Sequence, residues 1–248
     1  MYLYYATDLE FVGENPDEDE ILQAKEYKID GPEYSKQIFD EENNQVTKFK
    51  NWELIQSFYV SPDCSKMLVY HRPDKAKAFL FTLYDLSSNS VIAETEPGWA
   101  CQEIQFTDDY LIWIWGTSGG GTRYVYLDYK DLSVYKVITS YYYIEDIEHN
   151  QLITWNYHGD YSSKDEVFYV FFYNYTNANE TDKISQTFLA KKIHEQIADA
   201  DIAISGIHIE DFEKIGQNKY KITVSYCSLN TKTDVETFDN IKTIIYER

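Results

Sequence analysis

The chain carries an internal repeat, and that repeat restricts its fold more than any other feature. Asp85-Leu-Ser-Ser-Asn-Ser-Val-Ile92 recurs as Asp131-Leu-Ser-Val-Tyr-Lys-Val-Ile138, at an offset of 46 residues. The same offset maps Val60-Ser-Pro-Asp63 onto Phe106-Thr-Asp-Asp109, and Met67-Leu-Val69 onto Trp113-Ile-Trp115. Three matches at one offset mark a duplicated structural unit. Each unit divides into four short runs of aromatic and β-branched residues bounded by turn residues, the pattern of antiparallel strands. The first set, strands a to d, spans 55–60, 66–71, 78–84 and 90–94, and the second 101–106, 111–116, 123–129 and 135–139. A third, degenerate set covers 142–147, 151–157 and 166–175, with a weak strand near Ile184.

Four-stranded units of this length are the signature of a β-propeller. At 248 residues the chain has room for about five of them. The expected fold is therefore all-β and antiparallel: a small or irregular β-propeller of about five four-stranded blades, or a partial one. A β-sandwich with duplicated meanders is the alternative. One stretch departs from the strand pattern. Gln186–Asp199 places Leu189, Ile193 and Ile197 four apart, which predicts a helix near 186–199. Strand candidates return at 202–209, 219–227 and 241–246. The chain thus reads as an acidic N-terminal strand and loop segment (1–50), propeller-like repeats over 51–185 (55–94, 101–139, 142–185), and a helix with C-terminal strands (186–248) that can close the same domain.

Ser61-Pro-Asp-Cys-Ser-Lys-Met-Leu-Val-Tyr70, followed by Leu83-Tyr-Asp-Leu-Ser87, resembles a blade of the TolB-like and WD-repeat propellers. Such blades often read Ser-Pro-Asp-Gly before strand b and carry an aspartate turn after strand c. Cys64 stands here at the glycine position. The resemblance covers about residues 55–175. It implies a fold, and propellers host many functions.

Charge restricts the partner. The chain has 22 basic and 42 acidic residues, a net charge of −20. Nucleic acid and anionic membranes need basic surfaces, so neither is an expected partner. A basic protein partner fits better, because complementary charge speeds encounter and fixes orientation. No run approaches the length of a membrane-spanning helix. Met1–Asp8 has no basic start and no long apolar stretch, so the expected location is cytoplasmic. Cys64, Cys101 and Cys227 form no Cys-x-x-Cys pair and read as reduced, buried thiols. Among the acidic residues, Asn15, Asp17, Asp19 and Glu26 have the spacing of a calcium loop, but Glu20 stands where that loop needs glycine. A solvated loop is the reading preferred there, following a first strand at Tyr2–Val12.

No catalytic motif is present. Ser118-Gly-Gly-Gly121 lacks the lysine and helix of a phosphate loop, and no Gly-x-Ser-x-Gly elbow occurs. The five histidines form no zinc-binding pair, and a cross-blade site from His71, His158 and Asp160 is the single metal arrangement considered. No catalytic residue, cofactor or metal is therefore assigned. In a propeller the b–c and d–a loops share one rim. That rim gathers Arg72, Trp99, Arg123, Tyr141 and His158, residue types that dominate binding hot spots. The functional expectation is a non-enzymatic protein that binds another, basic protein through this rim. An immunity-type inhibitor of a toxin is one such role by analogy of class. A propeller enzyme or sugar-binding protein using the same loops is the alternative.

Overall fold

The computed structural model describes residues 26–32, 35–49, 53–73, 77–97, 103–117, 120–155 and 168–248. It divides into two compact units, Met1–Thr139 and Ser140–Arg248.

Among the described residues of the first unit, the first elements are a short antiparallel pair, β1 (Lys28–Asp30) and β2 (Gln37–Phe39), which the sequence reading missed. Two meanders follow. The first comprises β3 (Leu54–Val60), β4 (Lys66–Arg72), β5 (Leu80–Asp85) and β6 (Ser90–Thr95). The second comprises β7 (Glu103–Phe106), β8 (Leu111–Gly116), β9 (Thr122–Leu127) and β10 (Val134–Ser140). Each is a separate four-stranded sheet in sequence order. The repeats therefore form successive blades and do not pair strand for strand in one sheet.

Met67–His71 and Leu111–Trp115 are buried without a break. Side chains alternate across a strand, so unbroken burial means that both faces of the sheet are covered. On one face Leu68, Tyr70, Phe81 and Leu83 meet Ile104, Phe106, Leu111, Trp113, Trp115 and Val125 of the second sheet. On the other, Met67, Val69 and Tyr84 meet Ile38 and Val46 of the β1–β2 segment.

The hairpin registers correct the repeat alignment. Val60 pairs with Met67 across the first a–b turn, and Phe106 with Leu111 across the second. The second turn is two residues shorter, so Met67 corresponds to Leu111 and not to Trp113. After strand c, Asp85 pairs with Ser90, while Asp128 N–H donates to Ser133 O at 3.0 Å. Asp85 thus corresponds to Asp128, and the sequence match with Asp131 is three residues out of register. Cys64 adopts φ 54°. It occupies the left-handed conformation for which glycine is the usual residue.

The second unit contains a third meander: β11 (Tyr142–Asp146), β12 (Gln151–Trp155), β13 (Phe168–Asn174) and β14 (Glu180–Ser185). Helix α1 (Gln186–Ile197) follows. Ser185 caps it by accepting Phe188 N–H at 3.2 Å. Leu189 and Ile193 are buried and Ile197 is partly so; Ala198 in the left-handed conformation ends the helix. A long three-stranded meander completes the unit: β15 (Ile202–Gly216), β16 (Lys219–Asn230) and β17 (Val235–Glu247). One core joins these parts: Ile153, Trp155, Val170 and Phe172 pack with Leu189 and Ile193 of the helix and with Phe212, Tyr220, Ile222 and Ile244.

The last sheet is irregular at one level. Gly206 and Ile207 bulge from β15 opposite Tyr226, and Phe238 and Asp239 bulge from β17 opposite Cys227. Gly206 has φ 56°, and a Cβ there would lie 3.2 Å from Cys227 Sγ. Asp239 also has φ 56°. Paired bulges bend a sheet and increase its twist. Cys64 and Cys227 are free and half-buried, less buried than expected. Among the described residues the fold is of propeller type, irregular in having three four-stranded sheets, one three-stranded sheet, one two-stranded sheet and one helix.

Candidate functional site

Arg72 is the last residue of β4 and Arg123 the second of β9, so both lie at the b–c ends of adjacent sheets. An aromatic run connects them. Arg72 lies over Phe79, at 5.9 Å, and its Nε donates to Lys77 O at 2.8 Å. Phe79 stacks on Tyr70, which meets Phe81 edge-on, and Phe81 meets Trp113 edge-on. Trp113 stacks with Trp115, and Arg123 lies over Trp115 at 4.8 Å, its cross-strand partner. Such cation–π contacts contribute about 1–2 kcal/mol each when partly desolvated. Among the described residues, Arg123 Nε and Trp113 Nε1 are buried without a hydrogen-bond acceptor. The third arginine, Arg248, also lies over a ring, that of Phe172, and pairs with Asp182.

Of the residues expected on the binding rim, the structure thus links Arg72 and Arg123 through one rigid platform. Tyr141 is exposed and lies in the other unit, as the single residue between β10 and β11. Trp99 and His158 lie outside the described residues, as do Asp160, Cys101, the first strand at Tyr2–Val12, and all of the calcium-like loop but Glu26. Between β8 and β9, Thr117 N–H donates to Gly121 O at 2.6 Å; Ser118 and Gly119 lie outside the described residues.

A polar chain crosses the first sheet, buried at Glu53, His71 and Thr82 and reaching the surface at Glu94, and the sequence reading missed it. His71 Nδ1 bonds Glu53, and its Nε2 bonds Thr82 Oγ1 at 2.7 Å. Thr82 donates its hydroxyl hydrogen to Glu94 at 3.1 Å. Glu53 precedes β3, and His71, Thr82 and Glu94 belong to β4, β5 and β6, one polar residue from each strand position. Phe49 stacks on the imidazole at 4.4 Å. The carboxylate–imidazole–hydroxyl order resembles that of a nucleophilic triad, but Thr82 is only 1% exposed and out of reach of a substrate. The chain reads as a structural clamp. Both His71 nitrogens are occupied, which leaves none for a metal; among the described residues no cluster of metal-ligating side chains occurs.

The opposite end of the first unit is acidic. Asp63, Asp108, Asp109, Asp128 and Asp131 stand in its a–b and c–d turns, and Asp85 ends β5 at the edge of a c–d turn. Asp85 accepts N–H groups of Ser87 and Ser88 and the Ser87 hydroxyl; these bonds, the hydroxyl first, hold its carboxyl at about 2. The Ser61 hydroxyl, aided by Ser65, likewise lowers Asp63, and Ser133 lowers Asp131. Tyr110 and Tyr135 stack at 4.4 Å beside these turns, and Tyr135 is exposed.

No protein-family model and no curated protein matches the chain. Solved structures similar to it include an uncharacterised protein of Listeria monocytogenes EGD-e (14% identity, TM-score 0.36, covering 86% of this chain and 59% of that one). Another is BamB of Moraxella catarrhalis (8% identity, TM-score 0.32, covering 79% and 56%). A third is the β-propeller domain of the trilobed protease of Pyrococcus furiosus (12% identity, TM-score 0.35, covering 86% and 77%). The chain thus spans less than two thirds of the length of the first two. The propeller-type assignment rests on the chain's own sheets, and these likenesses say nothing of function.

Proposed function

We propose that this chain is a non-enzymatic binding protein for another protein, anchored through Arg72 and Arg123 at the b–c end of the first two sheets. The observation that carries this reading is the aromatic run between them. It holds two of the chain's three guanidinium groups on a buried, close-packed support, so little side-chain freedom is lost when a partner binds. Arginine and aromatic side chains dominate interface energetics, and the guanidinium fork suits a carboxylate or backbone carbonyl. The six aspartates in and beside these turns and the net charge of −20 support a basic partner, drawn in by long-range attraction. Within that class we propose an immunity-type role, neutralising a basic toxin. Trp99, in the same unit, belongs to the same proposal through its place in the sequence repeat.

The test is affinity capture of the partner on the full chain, then titration of that partner against Arg72→Ala and Arg123→Ala. Each substitution is expected to weaken binding by about 2 kcal/mol. Arg72→Lys and Arg123→Lys keep the charge and lose the fork, and should recover part of the loss. Unchanged binding by both alanine variants would place recognition elsewhere.

A further inference from the structure

The second sheet carries two buried donors that the described residues do not satisfy. Trp113 pairs with Val125, and Trp115 with Arg123, across β8 and β9. Side chains alternate along a strand, so all four stand on one face of that sheet, the face packed against Tyr70 and Phe81 of the first sheet. Arg123 and Trp113 are diagonal neighbours on it, about 7–8 Å apart and within reach of one ligand. Trp113 is 5% exposed, and its Nε1 and Arg123 Nε are both buried without an acceptor among the described residues. The chain's other two arginines differ. Arg248 pairs with Asp182, and Arg72 spends its Nε on Lys77 O. Arg123 pairs with no carboxylate among the described residues. The three acids on the strands of these two sheets face elsewhere. Glu103 pairs with Ile114, on the other face of the second sheet. Glu94 accepts from Thr82 on the far face of the first, and Asp85 lies at the opposite end.

A buried donor without an acceptor forfeits the bond it made to water in the unfolded chain, and two on one face place that cost at one spot. A neutral acceptor would satisfy both hydrogens and leave the guanidinium charge uncompensated among aromatic rings. An anion does both. We infer that the b–c end of the first two sheets binds a carboxylate, taken by the Nε edge of Arg123 and the indole N–H of Trp113. That edge of a guanidinium offers two parallel N–H bonds, which fit the two oxygens of a carboxylate. Phe81 stands edge-on to Trp113, and Arg123 lies over Trp115. In such surroundings a planar, singly charged group suits better than a phosphate, whose higher charge costs more to strip of water. The inference rests on the recognition end proposed above and names the group bound there, an acidic side chain of the partner or a free small acid. A carboxylate is uncommon on a basic partner, so this contact fixes register while bulk charge supplies attraction.

The test is NMR titration of the full chain with sodium acetate, against equal concentrations of sodium chloride and of acetamide. Three arginines and five tryptophans give few side-chain N–H signals, so Trp113→Phe and Arg123→Lys assign the two that matter. Acetate should move both signals saturably in the millimolar range, and chloride and acetamide should bind about tenfold more weakly, the usual scale for losing a charge-assisted hydrogen bond. Arg123→Lys, read at the Trp113 signal, and Trp113→Phe, read at the Arg123 signal, should each weaken acetate by a similar factor. The remaining tryptophan signals should stay in place, which reports that each variant keeps the fold. Acetate that displaces the captured partner supports the site and assigns the carboxylate to the partner; acetate that binds beside it supports the site and assigns it to a free acid. Equal response to acetate and chloride, equal response to acetate and acetamide, no saturable shift, or unchanged acetate affinity in both variants would overturn the inference. Loss of partner binding in Arg123→Ala alongside any of these results would leave the proposed function standing, so the two readings fail separately.

Discussion

At the residue scale the decisive feature is how the few cations and the buried histidine are held. Each arginine lies over an aromatic ring, and His71 lies between Glu53 and Thr82. Removing one partner of a buried pair strands the other without solvent. Glu53→Ala should therefore destabilise the fold by about 3 kcal/mol, measured by urea unfolding. Glu53→Gln, which keeps an acceptor, should cost less. Equal losses in the two variants would mean that packing and not the hydrogen bond matters. None of this chain of contacts was legible in the sequence. Glu53, His71, Thr82 and Glu94 lie far apart along it, and each alone looks like an ordinary polar residue at a strand end. The arginines were legible because they are rare and the repeat places both beside b–c hairpins.

At the scale of elements, the strands of all three meanders fall within a few residues of the expected spans. Runs such as Leu111–Trp115, bounded by turn residues, admit little else. The helix was equally plain, since Leu189 and Ile193 repeat at helical spacing. Turn lengths were not legible: the a–b turns differ by two residues, so a constant offset drifts out of register by strand c. Cys64 shows the converse. The resemblance placed a glycine position there, and the backbone takes the glycine conformation without the glycine. The c–d turn makes a pH prediction. The Asp85 carboxyl lies at about 2, below its unfolded value, so its contribution is full above pH 4 or so and is lost as pH falls toward 2. Asp85→Asn should lower the melting temperature near pH 6, and the deficit should shrink as acid titrates the wild type. A deficit that stays constant down to pH 2 would remove the carboxylate from the account.

At the scale of the whole molecule, charge dominates. A net charge of −20 opposes compaction through self-repulsion. Salt at physiological strength screens charges beyond about 8 Å, so the melting temperature should rise from low salt to that range. A fall would mean that local pairs such as Lys214 with Asp146 outweigh the global field. The same charge was read directly from composition, but the separation of arginine-bearing and aspartate-bearing ends in the first unit needed the topology of the meanders. The bulges of the C-terminal sheet have a further consequence. Phe238, Ile241 and Ile245 are exposed on β17, an outer strand of its sheet, the kind of strand onto which identical molecules add to form fibrils. The kinks at Gly206 and Asp239 break both outer ladders at one level, so a straight incoming strand finds no continuous template. Deleting Asp239 would restore that template along the full length of β17, and a chain kept from clumping by its shape would then depend on its charge alone.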